Sequence, residues 1–488
     1  MENTSGNGPA RDAGSGRAAG SDRATGAGSA GGASAAGATA VTGTSARGTA
    51  MTEDAAGGPV APRTWAGHLR LLGPGVVLAL ASVGASDMVT TLNSGAEYGL
   101  ALIWVFTLGL VLKYGLSEAI TRLQLTADRS FLSHITDVGG RLFPAVLLVA
   151  ELLVGLFFGA GVAAITTLIA QALFPSLPFW PTLVVLVLSA IVLLWVGRYG
   201  IVEKVMMGFA ILMFLGIVSL AIGSAGDGDA QATAAQTIMP IYPHTSLITV
   251  LSLVGGVGGA TGIMAYTYFV QEKRWSGPAW KSVTRVDLAF SYVLVGIFAV
   301  SMTVVGAFWL YGQGHSIESN DAVFMVGELI GERLGGWAWV LFLLSFFAVT
   351  YTSLLGGFQG IAYVTGDCLR VIRRYPHQDD PAYAMSSDAA EFKAALVWLT
   401  VCTLGLLTVE QVLGFERPVT LVLVYAAVSS FILPVLAIVL LLLLNRKSVV
   451  PQLRNGWLSN TVLVVCLVLF TVLAGVQVVE TVSGLLAV

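Results

Sequence analysis

Charge is scarce in this chain. Only 11% of its 488 residues are Asp, Glu, Lys or Arg, and 56% are hydrophobic. Soluble domains carry about 25% charged residues, so this balance excludes an ordinary water-soluble globule and points to many membrane spans. The net charge of −3 offers no basic surface for a nucleic acid. Cysteine is nearly missing as well. Cys368, Cys402 and Cys466 stand far apart with no metal-knuckle spacing, so they read as apolar filler in or beside membrane segments. No nucleophile–base pair and no metal-ligand cluster is visible. The chain is therefore not expected to be an enzyme, and no cofactor is implied.

Residues 1–62 lack large apolar side chains and consist mainly of Gly, Ala, Ser and Thr with scattered Arg. Such a segment cannot bury enough surface to fold, and it lacks the apolar core of a secretory signal. It reads as a disordered tail, and Arg11, Arg17, Arg23 and Arg47 favour the cytoplasm.

What the chain has instead is long apolar runs. A span needs about 20 apolar residues between polar breaks. That search gives eleven spans: Leu71–Gly95, Leu100–Leu123, Leu142–Leu173, Trp180–Val196, Ile201–Ile222, Leu247–Val270, Leu288–Leu310, Trp337–Val364, Ala394–Leu407, Pro418–Leu444 and Leu458–Val479. Loop charges test the count. With the N-terminus inside, the inner loops hold Arg122, Arg129, Arg141, Arg198, Lys204, Lys273, Arg274, Lys281, Arg285, Arg370, Arg373, Arg374, Lys393, Arg446, Lys447 and Arg454. The outer loops hold only Arg333 and Arg417, so positive charge lies inside throughout. The expected location is a plasma membrane, multi-pass, with the C-terminus outside.

The first run is interrupted by Gly84-Ala85-Ser86-Asp87. A carboxylate at bilayer depth costs roughly 2.5–3.5 kcal/mol on insertion scales, and the neighbouring small residues are poor helix formers. A second glycine-laden stretch, Gly255 to Gly262, interrupts the sixth run. Interrupted helices at matching places in two halves are a sequence pointer to a transporter's binding site. A five-span unit begins and ends on opposite sides, so a second such unit is inverted. The expected fold is an all-α integral membrane protein with a LeuT-type inverted 5+5 repeat and an eleventh helix. Residues 63–224 form the first repeat, 225–447 the second and 448–488 the appended helix.

Candidate site residues follow from the breaks. Asp87 supplies the only obvious anionic oxygen, and carbonyls freed near Gly84 add neutral ones. Each has a plainer reading. Asp87 can cap the broken helix without touching cargo, Met264 can fill a gap, and Tyr266 and Tyr268 can pack instead of lining a cavity. The glycine run can serve close helix packing instead of a break. Asn93 and Glu151 are candidates to brace the site from behind. Lys113 and Glu118 fit snorkelling as well as pairing.

Gly73-Pro74-Gly75, Asn93-Ser94-Gly95-Ala96, Thr352-Ser353, Gly356-Gly357-Phe358-Gln359-Gly360, Leu433-Pro434 and Asn445-Arg446-Lys447 resemble the Nramp family of divalent-metal transporters from about residue 65 to 447. The resemblance implies a metal site on the first and sixth helices, yet its functional residues match badly. Where the family has Asp-Pro-Gly-Asn this chain has Gly84, Ala85, Ser86 and Asp87. Where it has Met-Pro-His the chain has Met264, Ala265 and Tyr266, with Thr261 at the backbone-ligating Ala position, so the resemblance implies a neutral oxygen near Thr261 and a soft sulfur from Met264 at the site. The tenth-helix Gln position is Ala426. In the third helix Glu151 matches, but Phe158 and Gly161 replace two proton-carrying carboxylates. The chain thus resembles diverged, Nramp-related branches, some of which move other cations such as magnesium without protons. The expectation is a secondary transporter whose partners are a divalent cation as cargo and the lipid bilayer. Oligomeric state is not legible. The competing expectations are a small organic solute on the same scaffold and a non-transporting membrane sensor.

Overall fold

The structure is a computed structural model. It describes residues 59–62, 64–127, 129–197, 199–226, 259–311, 320–377, 384–413 and 431–486, together with 421, 424, 425, 428 and 429. In chain order the helices are α1 (Trp65–Arg70), α2 (Pro74–Ser82), α3 (Ala85–Tyr98), α4 (Ile103–Gln124), α5 (Phe131–Gly139), α6 (Leu142–Leu173), α7 (Phe179–Val196) and α8 (Tyr199–Ala225). Then come α9 (Ala260–Glu272), α10 (Lys281–Trp309), α11 (Asn320–Leu334), α12 (Gly336–Arg374), α13 (Ala390–Leu413), α14 (Ile432–Leu444) and α15 (Trp457–Leu486).

Among the described residues, eight helices are long and apolar enough to cross a membrane. Their outer faces are apolar too. Val111, Val146, Val185, Leu215 and Val464 are all exposed, the pattern of helices that meet lipid instead of water. The architecture is the expected LeuT-type bundle. α2 and α3 form the broken first span, and α4, α6, α7, α8, α10, α12 and α13 are the longer helices that pack around it. α12 packs most extensively on α6, and α10 on α3.

The interior is close-packed where these helices meet. A Cβ on Gly95 would lie 2.2 Å from the Thr303 carbonyl oxygen, and one on Gly306 2.3 Å from the Leu92 oxygen. α3 and α10 thus touch backbone to backbone, which only small residues permit.

Several boundaries differ from the sequence reading. α12 runs ten residues past Val364 to Arg374, and α13 extends beyond Ala394–Leu407 at both ends. Polar residues such as Asp367, Arg370 and Glu391 sit in these extensions, where other helices rather than lipid surround them. α5 and α11 are short helices in loops that hydropathy alone reads as connections. Asp367 is no solvated loop residue: it is fully buried in α12. Gly255–Gly258, Asp379, Asp380, Arg417 and Ala426 lie outside the described residues.

Candidate functional site

The first span breaks where the apolar run meets Gly84. α2 ends at Ser82, Val83 and Gly84 are extended, and α3 starts at Ala85. The Asp87 carboxylate lies at the N-terminus of α3 and accepts a hydrogen bond from the Gly84 N–H at 2.8 Å. The helix end favours that negative charge through its dipole and unpaired N–H groups. Asp87 is 3% exposed, so its capping role is structural as well as electrostatic. Thr91 Oγ1 donates to the Asp87 carbonyl at 2.6 Å, tying down the next turn.

The extended backbone at Gly84 suits any residue, so what its glycine gives is room. A Cβ there would point at Ser353 Oγ (3.0 Å), Tyr425 OH (3.6 Å) and Asp87 Oδ2 (3.8 Å). That direction is into a cavity of about 50 Å³ between the break and α6, α9 and α12. Its polar lining comes from Ser82, Asp87, Thr261, Ser353, Tyr425 and Ser429. Phe158 closes one wall, edge-on to Tyr425 with ring centres 5.0 Å apart. α12 approaches through its glycines: a Cβ on Gly356 would meet Ala81 at 2.6 Å, and one on Gly357 would strike the Phe158 ring at 2.1 Å.

α9 begins inside the second glycine stretch, with Gly259 extended ahead of Ala260. Ser429 Oγ accepts from the Ala260 N–H at 3.1 Å and caps this second helix start. Thr261, one residue further in, lines the cavity and donates to both Glu151 oxygens at 2.9 and 3.1 Å. Glu151 is fully buried in α6. It stands behind the lining and fixes the Thr261 hydroxyl.

The structure therefore brings Gly84, Asp87 and Thr261 to one cavity, with Glu151 behind them. It does not bring Met264, Tyr266 or Asn93 there. Met264 is fully buried packing outside the lining. Asn93 lies almost two turns beyond Asp87 along α3, half-buried, and the partner of Glu151 is Thr261 rather than Asn93. Among the described residues, no group of three or more His, Cys, Asp or Glu is placed to hold a metal. The cavity offers one carboxylate, five hydroxyls and the terminal carbonyls of α2. That is a sparse, oxygen-only set, suited to a partly hydrated hard cation more than to a dehydrated soft one.

Tyr266 has another task. Its hydroxyl donates to Asp287 Oδ2 at 2.8 Å, and Asp287 also accepts from the Gly73 N–H (3.2 Å) and the Gly75 N–H (2.6 Å). One buried carboxylate on α10 thereby pins the start of α2 and the middle of α9. Sequence reasoning missed Asp287 because it falls at the edge of an apolar run, beside Lys281 and Arg285. The available signal was Gly73-Pro74-Gly75, a buried helix start whose N–H groups need acceptors.

The same end of the bundle is dense with ion pairs. Lys273 meets Glu203 at 2.7 Å, with the Glu203 carboxylate directly against Gly73. Arg370 meets Asp367 at 2.5 Å, and Asp367 accepts from the Tyr268 hydroxyl at 2.8 Å. Glu118 holds Arg122 and Arg285, each at 2.7 Å. Pairing, not snorkelling, accounts for Glu118. Lys113 does not snorkel either: it sits midway along α4 at 1% exposure. Between this end and the cavity, the α9 residues Ile263 to Val270 are all buried.

A bundle with a broken first span, a second helix starting in a glycine stretch beside it and a small polar cavity between them has the architecture of LeuT-fold membrane proteins. Within that class, residues 75–480 match the family described as natural resistance-associated macrophage protein-like, Nramp, and the chain belongs to that family. It is similar to the divalent metal cation transporter MntH of Pectobacterium carotovorum, at 24% identity over 305 residues, 59% of this chain and 70% of that protein. An uncharacterized protein of Pasteurella multocida shares 23% identity over 76% of this chain and 83% of its own length. Among solved structures, a point mutant of the Eremococcus coleocola manganese transporter superposes with a TM-score of 0.68 at 15% identity, covering 88% of this chain and 90% of that one.

Proposed function

We propose that this protein is a secondary transporter of divalent metal cations that works by alternating access, with Asp87 as the carboxylate that meets the cargo. The observation that carries the reading is a buried carboxylate at a helix break, facing a polar cavity of about 50 Å³. Its lining of one carboxylate and five hydroxyls suits a cation that keeps part of its hydration shell. Nramp membership and the names of the relatives support the same cargo class.

The chemistry expected is weak, hydrated-cation binding. Asp87 already serves the Gly84 N–H, and the positive end of α3 offsets part of its charge. The densely paired end, placed in the cytoplasm by the excess of positive residues, acts as the closed inner gate. Its opening requires α2 to leave Asp287 and Glu203. The family's proton route is not retained here, because Phe158, Gly161 and Tyr266 occupy its positions.

The test is flux into proteoliposomes followed with metal-sensitive dyes for Mn²⁺, Mg²⁺ and Fe²⁺. Uptake above empty vesicles, insensitive to a pH gradient and abolished by Asp87→Ala, is expected. No flux for any of the three ions removes the proposal.

A further inference from the structure

A second, larger hollow, which shares no lining residue with the cavity at the break, lies between α4 and α10 on an outer face of the bundle. It encloses about 600 Å³ and its wall is almost wholly apolar. Leu110, Val111 and Tyr114 form one side, and Val293, Gly296 and Ile297 the other. Val111 and Val293 are more than half exposed, so the groove opens directly to the bilayer. Gly296 gives it depth, since a Cβ there would press on Leu110 Cδ1 at 3.3 Å. On α10 the lining runs from Ala289 to Ser301. Twelve residues at 1.5 Å each make roughly 18 Å, close to the roughly 15 Å of one leaflet's hydrocarbon.

The foot of the groove is polar in a particular way. Tyr292 bonds Ser117 at 2.7 Å, and Tyr114 stands edge-on to Tyr292 with ring centres 6.2 Å apart. One turn below Ala289 on the same helix is Arg285, whose side chain is 49% exposed although it touches Glu118. One turn further is Lys281, which stands in the combined field of Arg285, Arg122 and Glu118. Three cations thus surround one carboxylate at the level where the apolar groove ends. Excess positive charge directly below an acyl-sized slot is complementary to an anionic headgroup with its chain above it.

We infer that the α4–α10 groove is a binding site for an anionic glycerophospholipid, with one acyl chain between Val111 and Val293 and the headgroup phosphate on Arg285 and Lys281. The site joins the two repeats, because α4 belongs to the first and α10 to the second. α10 also carries Asp287, so an occupied groove braces the helix that pins α2. The inference stands apart from the identity of the cargo.

The experiment is native mass spectrometry of the full-length protein, released from nanodiscs made with equal amounts of phosphatidylglycerol and phosphatidylcholine of the same acyl composition. The wild-type protein is expected to retain one phosphatidylglycerol at least tenfold in preference to phosphatidylcholine. Ala289→Phe, which fills the foot from an exposed position, should abolish retention of that lipid. The pair Lys281→Gln and Arg285→Gln should remove the preference while Arg122 keeps Glu118 partnered. Should either variant fold poorly, Val293→Trp fills the same slot from the lipid side and must give the same loss as Ala289→Phe. Equal retention of both lipids by the wild type would overturn the inference. So would a preference that survives the double substitution, or a groove-dependent dimer in place of a lipid adduct.

Discussion

The polar cavity and the charged end of the bundle share α12 but spend their polar groups in opposite ways. Around the cavity, α2, α3, α6, α9 and α12 contribute one carboxylate, a few hydroxyls and several glycines. At the charged end, carboxylates on α4, α8, α10 and α12 are each met by a cation, a tyrosine or backbone N–H groups, most within 2.5–2.8 Å. Buried charge is tolerated only with close partners. The charged end satisfies that rule inside the protein, which closes it. Beside the cavity, Asp87 accepts from the Gly84 N–H and acts on the buried Lys113 through its charge. The difference teaches that one bundle can satisfy buried charge densely around the start of α2 and keep only a sparse set of oxygens around the break.

The comparison breaks most visibly at Asp287. Asp287→Ala leaves two backbone N–H groups and the Tyr266 hydroxyl without their acceptor, at about 1–3 kcal/mol each. The expected loss of stability is about 3–5 kcal/mol, read as a drop in unfolding temperature in detergent. A cysteine placed near Gly73 should also become more accessible to a water-soluble thiol reagent. A variant as stable as the wild type would show that the pinning of α2 is incidental.

Gly84→Asp sharpens the comparison from the other side. It adds the carboxylate that the family carries at this position, pointed at Ser353, Tyr425 and Asp87. Two carboxylates facing one space repel each other until a cation enters. The dissociation constant for Mn²⁺ should fall about tenfold, equivalent to about 1.4 kcal/mol, and Ser353 must turn aside to make room. Unchanged affinity by calorimetric titration would mean that this face of Gly84 does not see cargo.

The smallest effect is expected at Thr261→Val. It removes the hydroxyl that both Glu151 oxygens accept from, at roughly 1–2 kcal/mol. Uptake should slow a few-fold without being lost. Complete loss of transport would instead make Thr261 a direct ligand of the cargo.

Much of the fold was legible because membrane insertion writes itself into sequence. Leu142–Leu173 is the same helix by hydropathy and in the structure, since Arg141 and Pro175 bound a long apolar run in which Glu151 is the single charged residue. The first break was legible for the complementary reason: glycine and aspartate interrupt such a run. α5 and α11 were not, because a short amphipathic helix carries too few apolar residues to stand out from a loop. α12 and α13 were read too short because helices buried among other helices can carry Asp367, Arg370 or Glu391 where lipid-facing ones cannot.

Within the site, Gly84, Asp87 and Thr261 could be named from one stretch of chain each. The roles of Tyr266 and Asp287 could not, since the bonds from Gly73 and Gly75 to Asp287 span 214 and 212 positions. Met264 was attractive only by its place in a motif, and the structure gives it ordinary packing.

The central claim is that Asp87 binds a cation at the break in the first span. Calorimetric titration of the purified protein with Mn²⁺ and Mg²⁺, and separately with amino acids and amines, tests it directly when repeated on Asp87→Asn. That variant keeps an acceptor for the Gly84 N–H and loses only the charge. The account predicts saturable cation binding to the wild-type protein, at least a hundredfold weaker binding to Asp87→Asn, and none for the organic solutes. Equal cation binding by both proteins, or binding of an amino acid where metals leave no signal, would contradict it.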